Sequence, residues 1–165
     1  MNKILKRHFP RLINFWPPLL GAGIRVKRLQ PDWKAIDVEM KFRRWNANYV
    51  GTHYGGSLYS MADPFYMLML IRNLGRGYIV WDKSATIRFR KPGKGTVTAS
   101  FRLSDEQLNG IRQALETQDK IEPTFVVEVR DEAGEVVAEV QKLLHIRKKE
   151  NASPSAGVIG SRQSC

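Results

Sequence analysis

Cysteine is almost absent. The only one in 165 residues is Cys165, at the last position, which excludes an internal disulfide framework and any thiolate metal cluster and fits a reducing, cytoplasmic setting. Long apolar runs are missing as well: the longest centres on Met67-Leu68-Met69-Leu70-Ile71, short of the roughly 18–20 residues that a spanning helix needs. Acids are scarce, 16 against 27 Lys plus Arg, for a formal charge of +11. What is present is a hydrophobic fraction of 42%, enough to bury a core, in a length that fits one domain.

The positive charge is concentrated. Lys3, Lys6, Arg7, Arg11, Arg25, Lys27 and Arg28 have no acid among them, and Lys83, Arg88, Arg90, Lys91 and Lys94 face only Asp82. Such clustering suits an anionic partner: nucleic acid, an anionic membrane surface, an acidic carrier protein or a phosphorylated small molecule such as coenzyme A. No zinc-finger spacing, helix-turn-helix pattern or aromatic RNA-binding signature is found, so nucleic acid is not the expected partner. A solvated surface that only maintains solubility remains the plain alternative.

Three regions are predicted. Residues 1–34 form a basic, amphipathic N-terminal segment in which Ile4, Leu5, Phe9, Leu12, Ile13, Phe15 and Trp16 recur at helical spacing until Pro17-Pro18 stops them. Basic residues interrupt the stretch where a signal peptide's apolar region would run. The segment is expected to dock onto the domain, with peripheral membrane contact as the other reading. Residues 35–147 form the folded domain, and residues 148–165, polar and without periodicity, read as a disordered tail.

Within the domain, Ile36, Val38, Met40 and Phe42 alternate with polar residues as a half-buried strand. Ile87 and Phe89, the turn residues Pro92-Gly93-Lys94-Gly95, and Val97, Ala99, Phe101 and Leu103 read as a hairpin. Ser104-Asp105-Glu106 starts a helix running to about Glu116. Strands near Thr124–Arg130 and Glu135–Ile146 are joined by Asp131-Glu132-Ala133-Gly134.

The stretch from Gly55 to Arg72 is the most informative. It is apolar on nearly every face from Leu58 to Ile71, so as a helix it should be central, yet it carries one acid, Asp63. Helical spacing aligns Gly56, Ser60, Asp63 and Met67. A buried, unpaired carboxylate is costly, so its placement calls for a reason, and catalysis is one. Alternatively, Asp63-Pro64 is the N-cap and first residue of a helix beginning there. Gly55 and Gly56 allow a ligand close to the backbone at a helix N-terminus whose amides can hold an oxyanion. Asn48, Thr52 and His53 upstream are short polar groups suited to orienting water. Neither His8 nor His145 lies near His53 in sequence, and with no cysteine available no metal site is expected.

Asn48, Gly51-Thr52, Gly55-Gly56, Ala62-Asp63 and the strand and turn Thr86–Gly95 resemble the hot-dog fold thioesterases, particularly the branch of phenylacetyl-CoA thioesterases, over roughly residues 35–146. Two departures stand out: Tyr54 occupies the place of the family's His before Gly-Gly, with His53 displaced by one, and Pro64 directly follows the carboxylate. The resemblance implies an α+β hot-dog fold, a curved antiparallel sheet around a helix from about Gly56 to Asn73. It also implies a homodimer, or a tetramer of paired dimers, with the site at the dimer interface. The reaction implied is hydrolysis of acyl-CoA or acyl-carrier-protein thioesters, with coenzyme A as part of the substrate and no other cofactor. Asp63 is then general base or nucleophile, the Gly56 amide binds the oxyanion, Asn48 and His53 position water or thioester, and Ser60 supports the acid. Gly55, Arg88, Arg90, Lys91 and Lys94 are the candidate substrate-binding residues. A catalytically silent acyl-binding protein on the same fold is the alternative.

Overall fold

The computed structural model describes residues 12–149; the expectations for the extreme N-terminus and most of the tail lie outside these residues. Seven strands form one curved antiparallel sheet: β1 (Ile24–Leu29), β2 (Ala35–Lys41), β3 (Tyr78–Phe89), β4 (Thr96–Arg102), β5 (Lys120–Ile121), β6 (Thr124–Arg130) and β7 (Val136–Lys148). Their order is β1-β2-β4-β6-β7-β3, with β5 also on β7. The helices are α1 (Pro17–Ala22), α2 (Gly55–Ala62), α3 (Phe65–Leu74) and α4 (Asp105–Thr117). The expected α+β hot-dog architecture is the one observed.

Period-two patterning sets the sheet. Ile36, Val38 and Met40 of β2 and Val97, Ala99 and Phe101 of β4 turn inward and are buried, as alternation along a pleated strand requires. They meet Phe65 and Tyr66 of α3: Phe101 lies 4.8 Å from Phe65 and 5.3 Å from Tyr66, ring centre to ring centre, and Tyr66 stacks on Phe125 at 4.7 Å. Such offset and edge contacts add to the area that aromatic rings bury. The β6–β7 hairpin lies where the sequence puts it. Ser104 caps α4, its hydroxyl accepting from the Gln107 amide while the Gln107 side chain accepts from the Ser104 amide, a reciprocal capping box.

Three expectations are corrected. Pro17-Pro18 does not stop a helix but begins α1, with proline in the first turn, where its missing N–H costs nothing. The region before Ala35 supplies β1, paired with β2, so the sheet starts at Ile24. Its Ile24–Val26 alternation is too short to stand out among basic residues. The Ile87–Leu103 stretch is not a hairpin: β3 pairs with β7 at one side of the sheet, and the chain then crosses to β4 beside β2. Gly93 and Gly95 accept backbone bonds from His53 and Phe42 on the way, so the Pro-Gly stretch ties a loop down instead of reversing a strand.

The central helix is interrupted. Pro64 has no N–H to give the Ser60 carbonyl, and α2 passes to α3 through Asp63 and Pro64, both still right-handed in backbone (φ −63°, ψ −57° and φ −85°, ψ −17°). Asp63 therefore lies two turns into a helix already begun, and its side chain caps neither piece. Nor is the helix wrapped on every side. Leu58, Met61, Ala62, Phe65, Met69 and Leu70 are buried, whereas Gly56, Ser60, Asp63, Met67 and Ile71 form a partly open stripe.

Candidate functional site

Asp63 sits on that stripe. Its side chain is 44% exposed, so the mostly buried carboxylate expected from the sequence is not what is found, and it is not unpaired. Oδ1 accepts a hydrogen bond from the Tyr59 hydroxyl at 2.9 Å and one from the Lys142 ammonium at 2.7 Å. Oδ2 has no protein partner among the described residues. One oxygen is anchored and the other faces outward.

Lys142 is the unusual member. It is fully buried on the inward face of β7, in phase with Val140, Leu144 and Ile146. Its ammonium lies 2.9 Å from Asp82 Oδ1 as well as against Asp63, and 5.5 Å from the Tyr59 ring centre, near enough for a cation–π contribution. Burial alone would lower its pKa, but the hydrogen bonds and charges of Asp63 and Asp82 outweigh burial and hold it above the ordinary lysine value. Tyr59 is pushed up, first by burial and then by Asp63, so it stays a phenol and donates. Asp82 stands opposite Leu144, and a bulge between Asp82 and Ser84 follows at once. Because of the extra residue, Asp82 and, beyond it, Ala85 and Ile87 all share the Lys142 face of the sheet, a use of bulges common beside functional sites.

The loop before α2 is closed by its own hydrogen bonds. Asn48 Oδ1 accepts from the amides of Val50 and Thr52, and its Nδ2 donates to Thr52 Oγ1 and the His53 carbonyl, so its polar atoms close their own turn. Tyr49 and Val50 stand exposed at the tip. His53 is buried, 5.2 Å from the Phe42 ring, with Nε2 3.0 Å from the Gly95 carbonyl. A carbonyl only accepts, so Nε2 carries the proton and Nδ1 is a bare, buried lone pair. Burial holds the His53 pKa below its ordinary value. A histidine depressed in the fold contributes stability above its unfolded value, about 6.5, and this is lost as pH falls through the folded value. Melting temperatures at pH 7.5 and 5.0 should accordingly fall further apart for wild type than for His53→Gln.

Gly55 and Gly56 are the first two residues of α2. A Cβ on Gly55 would come 2.9 Å from the Phe89 ring, and one on Gly56 2.4 Å from the Tyr54 ring, so both rings lean over bare backbone. Ser60 donates to the Gly56 carbonyl at 2.9 Å, and Tyr59, not Ser60, holds the acid. Of the basic candidates, Lys91 pairs with Asp131 at 2.6 Å and Arg90 with Glu139 at 3.5 Å. Arg88 and Lys94 are exposed and form no ion pair among the described residues. The structure thus brings Gly56, Ser60 and Asp63 onto one stripe and turns His53 away from it. It adds Tyr59, Lys142 and Asp82, which the sequence reading missed. Tyr59 was signalled by its place one turn before Asp63, and Lys142 by its phase among buried aliphatics.

A curved antiparallel sheet packed on an interrupted central helix, with an acid two turns into that helix, defines a hot-dog fold protein. The chain belongs to the family described as a domain of unknown function, DUF4442, whose profile matches residues 5–146. Among solved structures, a Pseudomonas aeruginosa protein of unknown function, described as a probable thioesterase, superposes with a TM-score of 0.74 at 26% identity, over 90% of this chain and 97% of its own. A thioesterase from Haemophilus influenzae gives 0.57 at 16% identity over 79% and 82%. A hypothetical thioesterase from Streptococcus pneumoniae gives 0.54 at 16% over 76% and 92%. The last two likenesses concern the fold. No curated protein matches the sequence.

Proposed function

We propose that this protein hydrolyses acyl thioesters, with Asp63 as general base. The observation that carries the reading is the asymmetric carboxylate: Oδ1 held by Tyr59 and Lys142, Oδ2 open on the exposed stripe. A base needs a fixed orientation and a free lone pair, and an ionised aspartate of this kind can draw a proton from water. The probable-thioesterase description of the Pseudomonas relative points the same way.

The same geometry supports a site shared by two copies. Asp63 lies seven positions after Gly56, roughly 10 Å at helical rise, whereas base and oxyanion donor act on one reacting centre, each within about 3 Å of it or of the attacking water. That separation favours a site in which the two parts come from different copies, with Asp63 of one chain near the helix start of another across a two-fold axis. The edge strand β3, twelve residues long with Trp81 and Phe89 exposed, offers a place for such pairing.

Acetyl-, hexanoyl-, palmitoyl- and benzoyl-CoA, assayed by release of free thiol, test the reading. Turnover of at least one, abolished in Asp63→Asn, supports it. Binding of acyl-CoA without turnover would leave an acyl-binding protein, and neither would end the proposal. If Arg88 and Lys94 hold the coenzyme's phosphates, Arg88→Glu with Lys94→Glu should raise KM severalfold and change kcat less, since contacts remote from the carbonyl need not strengthen in the transition state. Salt should mimic the change in wild type, because exposed charges are screened over about 8–10 Å.

A further inference from the structure

A buried lysine beside a catalytic base presents a problem. If Lys142 had Asp63 as its sole counter-ion, protonating Asp63 would leave a buried ammonium uncompensated, a strongly unfavourable state. Base catalysis requires that very protonation. Asp63 faces Tyr59 from α2 and Lys142 from β7; Lys142 in turn faces Asp82 from β3. The cluster carries two acids for one buried cation. We propose that Asp82 and Lys142 are positioning residues of the site: Asp82 keeps Lys142 neutralised while Asp63 takes up and returns a proton, and Lys142 fixes the carboxylate that does so.

The proposal rests on the thioesterase reading. A water O–H bond breaks toward Asp63 Oδ2 as the water oxygen bonds to the thioester carbon. Collapse breaks the C–S bond, and the proton held by Asp63 passes to sulfur, giving acid and thiol. Through the cycle the local charge runs from −1 to 0 and back, and the Lys142–Asp82 pair remains whole. Lys142 is fully buried, so it acts through Asp63 and does not touch substrate.

The test uses the full chain, with the best thioester of the panel, as Asp82→Asn, Asp82→Glu and Asp63→Asn/Asp82→Asn. In Asp82→Asn, kcat should fall at least about tenfold with KM within about twofold, and the acidic limb of the kcat profile should move to lower pH because the remaining acid is needed by Lys142. Asp82→Glu should recover most of the rate. Wild-type kcat in Asp82→Asn, or a loss that tracks melting temperature without rescue by Glu, would overturn the proposal. With the single variant Asp63→Asn beside it, the double variant gives a reading independent of activity: its loss of melting temperature should exceed the sum of the two single losses, because only it strips Lys142 of both counter-ions. Additive losses would show that the acids do not share the cation, even if no thioester is cleaved. Failure of the thioesterase reading alone would instead leave this non-additivity intact with no turnover in wild type.

Discussion

Replacing Asp63 by alanine is expected to lower thioester turnover by at least about 10²-fold, the order associated with loss of a general base, while the protein still folds. The fold is spared because Asp82 remains beside Lys142, and because Asp63 is half exposed at the junction of α2 and α3, where a methyl group leaves no sealed cavity. The Tyr59 hydroxyl loses its acceptor but lies at the open stripe, where water can replace it. Circular dichroism and a melting curve beside the kinetics separate the two effects. Wild-type turnover in the variant would remove Asp63 from the mechanism.

The second large effect is a restoration. Gly56→Pro removes one amide at the start of α2, where the first turn tolerates proline, and should cost about 10²–10³-fold if that amide binds the oxyanion. The exposed Tyr54 ring can swing aside to admit the new atoms. Alone, this variant and Asp63→Ala are both nearly inactive. If the site is shared between two copies as proposed, mixed dimers formed on co-expression would have one site with Asp63 from the first chain and the Gly56 amide from the second, and another site with neither. Random pairing makes half the dimers mixed, each with one working site of two, so activity should return to about a quarter of wild type. No recovery despite demonstrated mixed dimers would place both groups of each site within one chain.

The parts of this molecule governed by local rules were legible before the structure. Alternation gave β2, β4 and the β6–β7 hairpin, and Ser104 announced α4. The apolar run after Gly55 announced a helix, but local rules left its start open between Gly56 and an N-cap at Asp63, and the structure shows it already begun at Gly55. What local rules cannot convey is partnership between distant strands. Pro92–Gly95 has turn chemistry, but whether such a turn reverses a strand or ties down a loop is decided by His53 and Phe42, which donate to its carbonyls from forty or more residues away. The same limit governs the site. Asp63 drew attention as the one acid among apolar residues, but Lys142 lies seventy-nine residues on, and its bond to Asp82 depends on a register that only the paired strands β3 and β7 define.

The turn closed by Asn48 separates architecture from sequence identity. The bonds that shape it involve the Asn48 side chain, backbone amides, the Thr52 hydroxyl and the His53 carbonyl, whereas of the two tip residues Tyr49 and Val50 only Val50 takes part, through a backbone amide that any residue but proline would supply. Those two positions are therefore where relatives can diverge at little cost to folding. A small library randomised there, on an otherwise unchanged scaffold, should yield mostly folded variants with melting temperatures near that of wild type.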